Sequence, residues 1–381
     1  MNVYLDNAAT TPLDKEVLAA MMPFLSDHFG NPSSSHAFGR KTKTAIEQSR
    51  RTIAKALNCS PGEIYFTSGG TEADNLAMHI ALNDLGCKHI ITSPLEHSAV
   101  LKTAQKMAEN GQIKLSYVQL DGNGNVDMGH LEVLLASTGR SYVTLMHGNN
   151  EIGNLLPLKE VSELCLKYNA IFHSDTVQTM GHYAFDLQSM HIHFINAAAH
   201  KFHGPKGVGF IYVNKSIKAN PEIIGGGQER GLRGGTENLY GIVGLAKALE
   251  ICYRDLPDHQ KHVSDLKQYM AKELENSIPG VIFNGNSRSE DSLYTVLNVT
   301  FPENQNADML LFLLDLDAIA CSGGSACSSG AAKGSHVLDA IDALKPGCAS
   351  IRFSFSRMTT KDEVDFALSK VREHCKSHVM A

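Results

Sequence analysis

The chain has 381 residues, a formal net charge of −6, 43% hydrophobic and 19% charged residues. Because a single hydrophobic core stops growing at roughly 250–300 residues, this length predicts two packed domains. The composition is that of an ordinary globular protein rather than a disordered one, and the acidic balance argues against nucleic acid as a direct partner.

The cysteines and the apolar runs indicate in which cellular compartment the protein is expected. The eight cysteines include no CxxC pair, which favours reduced thiols over a zinc knuckle or a disulfide framework. The first residues lack a basic segment followed by an apolar one, and the longest apolar run, 309–314, is too short to span a membrane. We therefore expect a cytoplasmic protein with no membrane contact.

Apolar and β-rich runs alternate with helical segments from about residue 60 to 213, which predicts an α/β fold. A helical stretch follows from 240 to about 278 and turns polar after Tyr253, so we place a domain boundary near residue 258. The predicted strands are 64–67, 89–92, 114–119, 141–146, 170–174, 193–197, 208–213, 293–301 and 350–356, and further helices are predicted at 158–168, 307–315 and 360–374.

A glycine turn at 67–75, Thr-Ser-Gly-Gly-Thr-Glu-Ala-Asp-Asn, lies between an apolar run and a helical segment. Backbone N–H groups and the positive end of the helix dipole suit a phosphate there, with the Thr71 hydroxyl as an added donor. Alone, such a turn is usually only a turn. Its spacing fits neither the Walker motif nor GxGxxG, so a nucleotide is not the favoured ligand.

Two further motifs supply a lysine and an acid. Lys201 stands where a predicted strand gives way to a glycine- and proline-marked loop, and a partly desolvated lysine there is a nucleophile toward an aldehyde. A solvated loop lysine is the alternative, and Lys206 is a competing candidate. Asp175 and Gln178 follow another predicted strand, at the end where open α/β sheets bind ligands, although Asp175 also suits a helix N-cap.

Pyridoxal 5'-phosphate accounts for these motifs together, because it needs a lysine, an acid for its ring nitrogen and a group of phosphate-binding donors.

At this point the sequence resembles a known family, the cysteine desulfurases within the fold-type I pyridoxal phosphate enzymes. The resemblance covers essentially the whole chain and indicates the branch with the longer Ser-Ala-Cys loop. The motifs that carry it lie at 4–11, 30–36, 67–75, 96–97, 146–153, 174–178, 200–207, 233–238 and 322–330.

The resemblance implies a fold and a reaction. A large domain at 16–258 would hold the cofactor on a mixed, mostly parallel sheet flanked by helices. A smaller α+β domain, formed by 1–15 and 259–381, would carry the catalytic cysteine. The implied enzyme is a homodimer that converts L-cysteine to L-alanine, with Cys327 taking the sulfur as a persulfide. The sulfur would pass to an iron–sulfur scaffold protein or to a sulfur carrier for tRNA thiolation.

The resemblance also implies individual roles, among them Arg352 as the residue that binds the substrate carboxylate. Arg357 is a nearby candidate for the same role, and a structural ion pair is the alternative reading for both arginines. We assign no metal, because His191 and His193 follow strand alternation and His200 and His203 belong to the cofactor loop. The implied cofactor residues are Lys201 for covalent attachment, Asp175 for the ring nitrogen, Gln178 for the ring hydroxyl, His97 for stacking and proton transfer, and Gly70, Thr71 and His200 for the phosphate, with Thr236 reaching in from the neighbouring subunit; the implied substrate residues are Asn149, Arg352 and Asn31.

Cys327 lies in a run so rich in Gly, Ser and Ala that we expect it to be mobile, which suits a nucleophile that serves two places. Two positions depart from the family pattern. Ala198 replaces a common serine, and Cys321 is either an incidental thiol or a relay for the persulfide. A related aminotransferase or selenocysteine lyase, and a cofactor-poor binding homologue, are the alternative functions.

Overall fold

The computed structural model describes residues 1–303, 306–323 and 334–375. Cys327 therefore lies outside the described residues. The helices within them are α1 (Lys15–Ser26), α2 (Ala37–Ala56), α3 (Gly70–His79), α4 (Ser98–Glu109), α5 (Met128–Ala136), α6 (Leu158–Lys167), α7 (Leu239–Arg254), α8 (Leu256–Ser277), α9 (Leu310–Leu316), α10 (His336–Ala340) and α11 (Lys361–Cys375). The strands are β1 (Val3–Tyr4), β2 (Ile64–Thr67), β3 (His89–Thr92), β4 (Lys114–Tyr117), β5 (Ser141–Thr144), β6 (Ile171–Ser174), β7 (Phe194–Ala198), β8 (Gly209–Val213), β9 (Ile282–Phe283), β10 (Val296–Phe301), β11 (Ile319–Ala320) and β12 (Ala349–Ser354).

A seven-stranded sheet in the order β2-β8-β7-β6-β5-β3-β4 is the centre of the molecule. The pairs from β4 through β7 are parallel, and β8 is antiparallel to both of its neighbours, β7 and β2. The carboxyl ends of β2, β3, β5, β6 and β7 therefore meet at one edge. This is the edge at which open α/β sheets bind ligands.

Helices cover both faces of this sheet. Neighbouring residues of β5, Tyr142 and Val143, are both fully buried, yet they pack into different apolar clusters. Successive strand residues point to opposite faces, so a strand with no exposed face carries apolar residues on both faces. This explains why the predicted strands read as continuous apolar runs, and the predicted α/β class is confirmed.

A second, antiparallel sheet in the order β12-β10-β9 lies with α8, α9 and α11 around its own apolar cluster. The N-terminal arm packs beside it: β1 and β11 pair in parallel as a separate two-stranded sheet, and Asp6 bridges to Ser354 of β12. The domain division at residue 258 stays a prediction.

The predicted helical stretch from 240 to about 278 is helical except at Asp255, whose φ of −110° and ψ of 18° divide it into α7 and α8. Pro257, in the first turn of α8, has no N–H to bond the carbonyl of Tyr253 four residues earlier, so the hydrogen-bond ladder is interrupted while the sequence periodicity continues. Among the described residues, no helix combines the length and apolar character needed to cross a bilayer.

Candidate active site

Five strands deliver side chains to one cavity of about 220 Å³. Because these strands end at the same edge of the sheet, residues distant in sequence become neighbours. The N-terminal arm and β12 close the cavity from the other side. The predicted residues that line it are Gly70 and Thr71 after β2, His97 after β3, Asp175 and Gln178 after β6, His200 and Lys201 after β7, and Arg352 on β12.

Lys201 ends a short 3-10 turn that follows β7 directly. Its Nζ donates to the carbonyl oxygens of Ala8, at 2.6 Å, and Ala9, at 3.0 Å. The Gln178 amide donates to the same Ala8 oxygen at 3.0 Å. The N-terminal arm thus positions both the amine and the amide in the cavity.

An acidic cluster forms the floor. Asp74, His97 and Asp175 each offer a ligand-type atom within 4.8 Å of the others. Asp74 is fully buried, so loss of solvation raises its pKa well above the usual range, and the nearby Asp175 and Glu96 carboxyls raise it further. Burial thus favours the neutral form of Asp74, and a carboxylate in such a floor stabilises a cationic ring nitrogen.

His97 is held as the N-cap of α4. Its Nδ1 accepts the backbone N–H of Ala99 at 3.2 Å, which leaves the ring proton on Nε2. Burial lowers the pKa of His97, while the Asp175 carboxylate opposes that shift. The ring is therefore neutral near pH 7, with one N–H to give.

The opposite end of the cavity is built for an anion. α3 begins at Gly70, and a Cβ there would come within 2.7 Å of a Val177 methyl, so only glycine allows this approach. The first N–H groups of a helix have no intrahelical partner and attract phosphate. His200 adds a ring whose Nδ1 lies 3.1 Å from the Thr10 hydroxyl. Burial lowers the pKa of His200 to about 4, so it can act as a neutral N–H donor.

Arg352 provides the buried cation of the cavity. Its Nη1 donates to the carbonyl oxygen of Asn150 and its Nη2 to the carboxylate of Asp6, each at 2.8 Å. Its Nε is buried and has no hydrogen-bond partner within the described residues. A buried guanidinium that lines the cavity suits a carboxylate ligand.

The family model for the class-V aminotransferases matches residues 3–366 of this chain. The chain belongs to the class-V aminotransferase family. A relative from Dictyoglomus turgidum named cysteine desulfurase IscS is 43% identical over 370 residues, which are 96% of this chain and 92% of the relative. A solved NifS-like protein has a TM-score of 0.89 at 37% identity, with 98% of this chain and 99% of that chain covered. A second solved structure, titled SspA in complex with cysteine, has a TM-score of 0.80 at 32% identity over 94% of this chain and 100% of that one.

Three of the residues that were expected at the site do not line this cavity within one chain of the class-V fold. Asn149 is buried beside it, but its amide donates to the Leu95 carbonyl and accepts the N–H groups of Glu151 and Ile152. These bonds use the Asn149 side chain to hold the turn after β5, and its neighbour Asn150 lines the cavity. Asn31 is exposed in a turn before α2, and Thr236 is exposed beside a different cavity.

The rival residues are also placed. Arg357 forms an ion pair with Asp14 at 2.5 Å, outside the residues that line the cavity, and Lys206 is exposed. Cys321 is packed against the cluster of the smaller sheet, and burial raises the pKa of its thiol to about 12. A thiol that stays protonated is a poor nucleophile, which disfavours the relay hypothesis.

Several residues at the site carried no signal of their own in the sequence. Ala8 and Ala9 act through backbone carbonyl oxygens, which every residue has, so the identity of these two residues gives no sign of a role at the site. Asp74 was visible only as part of the glycine-turn motif. Asp6 lies in the first resemblance motif, but its partner Arg352 is 346 residues away.

Proposed function

We propose that this class-V family member is a pyridoxal phosphate-dependent cysteine desulfurase. L-Cysteine loses its sulfur to the Cys327 thiol, which gives L-alanine and a Cys327 persulfide. The observation that carries the proposal is the meeting of Lys201, Asp175 and Arg352 in one cavity. The names of the relatives, and the cysteine complex of the second solved structure, favour the same substrate.

The residues present fit the cofactor. Lys201 would hold its aldehyde carbon, Asp175 its ring nitrogen, and Gly70, Thr71 and His200 its phosphate, with His97 against the ring. The close approach at Gly70 gives a phosphate access to backbone N–H groups that a Cβ-bearing residue would obstruct. When bound, pyridoxal phosphate supplies an electron-withdrawing ring that stabilises negative charge at the substrate α-carbon.

The chain's own groups then orient substrate and move protons. Arg352 would bind the substrate carboxylate, which leaves the amino group toward Lys201. The Lys201 amine, held by two backbone carbonyls, can take and return a proton at the α-carbon. Neutral His97 can donate a hydrogen bond from its Nε2 to a leaving group.

The residues that flank 324–333 are attached to the site on both sides. Ser322 Oγ donates to Asp6 at 2.8 Å, and Asp6 also holds Arg352. Ser335 Oγ donates to Glu151 at 2.5 Å. The described residues on the two sides of Cys327 are thus bonded to Asp6, which holds Arg352, and to Glu151, which follows the cavity-lining Asn150 in sequence, and this supports Cys327 as the sulfur acceptor.

Two partners belong to the proposal. A second copy of the chain would supply Thr236, and the exposed apolar residues Leu18, Met22 and Leu25 on α1 favour such a contact. The persulfide would pass to an iron–sulfur scaffold or to a sulfur carrier for tRNA thiolation, in the cytoplasm.

Intact-protein mass spectrometry after exposure to L-cysteine tests the function. We expect one added sulfur on Cys327, no added sulfur in Cys327→Ser, and an unchanged result in Cys321→Ser. An aminotransferase would keep its turnover in Cys327→Ser. A binding homologue without catalysis would show no change in visible absorption when L-cysteine is added.

A further inference from the structure

Hydrogen bonds to two neighbouring strands hold the backbone at Asp6 in place. On one side the N–H of Leu5 donates to Ala320 at 2.8 Å, and on the other the N–H of Ser354 donates to Leu5 at 2.7 Å. Asp6 itself bridges to Ser354. A carboxylate on so constrained a backbone can direct a neighbouring side chain, since little freedom is left to lose.

One oxygen of Asp6 serves two donors. Its Oδ1 accepts from Arg352 Nη2 and from Ser322 Oγ, both at 2.8 Å. The Arg352 side chain is 1% exposed and that of Asp6 17%. Charge-assisted hydrogen bonds are short and strong when water is excluded, so this pair restricts the guanidinium more than a surface pair would.

The donors of Arg352 can be counted. Nη1 uses one N–H on the Asn150 carbonyl, Nη2 uses one on Asp6, and Nε is without a partner among the described residues. Nη1 and Nη2 each carry two N–H groups, so each keeps a second one, and charged N–H groups of this kind bind carboxylates. The bond to Asp6 restricts the rotation of the guanidinium and therefore the direction in which these groups point.

We propose that Asp6 is the positioning residue for substrate recognition: its carboxylate holds Arg352 so that the guanidinium faces the carboxylate of the bound amino acid. The inference rests on the proposed function of Arg352. Ser322 shares the Asp6 oxygen, and its backbone pairs with that of Arg352 in both directions, but its hydroxyl forms its hydrogen bond with Asp6 and not with the guanidinium. The hydroxyl of Ser322 is therefore dispensable for binding the carboxylate.

The test compares two ligands of the cofactor-loaded enzyme that differ by one group. L-Alanine carries the carboxylate, and ethylamine is L-alanine without it. Affinities come from titration of the visible absorption of the bound cofactor, which measures binding and not turnover. In Asp6→Asn we expect L-alanine to bind about tenfold more weakly, with ethylamine unchanged, because a charged hydrogen bond to Arg352 becomes a neutral one.

Three variants serve as comparisons. Ser322→Ala should leave both affinities unchanged. Asp14→Asn removes the analogous carboxylate from the Arg357 pair and retains an N-cap for α1, so it should also leave both unchanged. Asp6→Glu keeps the charge on a longer side chain, and we expect a smaller selective loss for L-alanine; it provides the test if Asp6→Asn does not fold.

The outcomes separate the inference from the function on which it rests. If Arg352→Gln does not reduce the preference for L-alanine over ethylamine, the role of Arg352 in the proposed function fails. If Arg352→Gln reduces it but Asp6→Asn does not, only the positioning role of Asp6 fails. An equal loss for both ligands in Asp6→Asn would also overturn that role, because it would show that Asp6 supports the site as a whole.

Discussion

The Nζ of Lys201 donates to the carbonyl oxygen of Ala8 at 2.6 Å, although the two residues are 193 positions apart. The contact joins the loop after β7 to the N-terminal arm, which is anchored by the pairing of β1 with β11 and by the bridge from Asp6 to Ser354 of β12. The N-terminal arm that holds the Lys201 amine also packs with Arg352. The same segment therefore positions the amine and the guanidinium, on either side of the proposed substrate.

Covalent attachment to Lys201 can be tested directly. Borohydride reduction of the cofactor-loaded protein, followed by peptide mass spectrometry, should place the cofactor on Lys201. Lys201→Ala should lose this label entirely, because the alanine side chain that replaces the lysine has no amine to form the bond.

Lys206→Ala is the matched control for that experiment. Lys206 lies five residues on and is exposed, so its removal should leave the label on Lys201 undiminished. A label that moved to Lys206, or that fell with its removal, would contradict the assignment.

Asp74 predicts a pH dependence of stability with a definite sign. Burial raises its pKa above the ordinary value of 3.8, so between that value and the folded-state pKa the unfolded chain is ionised at this position while the folded chain is not. The unfolded state then binds fewer protons, and stability falls by about 1.4 kcal/mol for each pH unit across this window. Below the ordinary value the contribution is fully present.

Asp74→Asn removes this titration while keeping the side-chain oxygen that accepts from Asn196 at 2.5 Å. Urea unfolding at a series of pH values should show the variant gaining stability relative to the parent chain as pH rises above about 4. Glu96 is present in both proteins, so its own titration largely cancels. A constant difference across the pH range would show that Asp74 is ionised in the folded protein.

Local patterns predicted the large sheet well and the contacts across the cavity poorly. The predicted strands 64–67 and 89–92 coincide with β2 and β3, because a strand buried on both faces reads as an apolar run. Asn149 and Asn150 are chemically identical neighbours, and only the turn after β5 determines which of them lines the cavity. The pairing of Asp6 with Arg352 joins the two ends of the chain, and no local periodicity encodes it.

The two cysteines near the catalytic segment should behave differently. Burial raises the pKa of Cys321 to about 12, so its thiolate is scarce at neutral pH. Cys321→Ala is expected to retain both desulfuration and sulfur transfer, measured as alanine formed and as sulfur passed to an acceptor thiol. Cys327→Ser should abolish both. A Cys321→Ala variant that forms the persulfide but fails to pass it on would restore the relay hypothesis.

Ala198 tests the phosphate end of the cavity. It is 3% exposed, lines the cavity, and its Cβ lies 3.9 Å from the position that a Cβ on Gly70 would occupy. A serine there adds a hydroxyl beside the start of α3, where the proposed phosphate lies. Ala198→Ser should hold pyridoxal phosphate at least as tightly as the parent chain, by up to about 1.4 kcal/mol, or tenfold in the dissociation constant.

Dialysis against buffer, with the bound cofactor followed by its visible absorption, measures the retention. Ala197→Ser is the control, because Ala197 is buried on the opposite side of β7 in the apolar cluster. A hydroxyl at that position should lower stability without improving retention, since it gains no phosphate and loses apolar contacts. If Ala198→Ser released the cofactor faster than the parent chain, the phosphate would not lie against β7 and the start of α3, and the orientation of the cofactor in the cavity would have to be reversed.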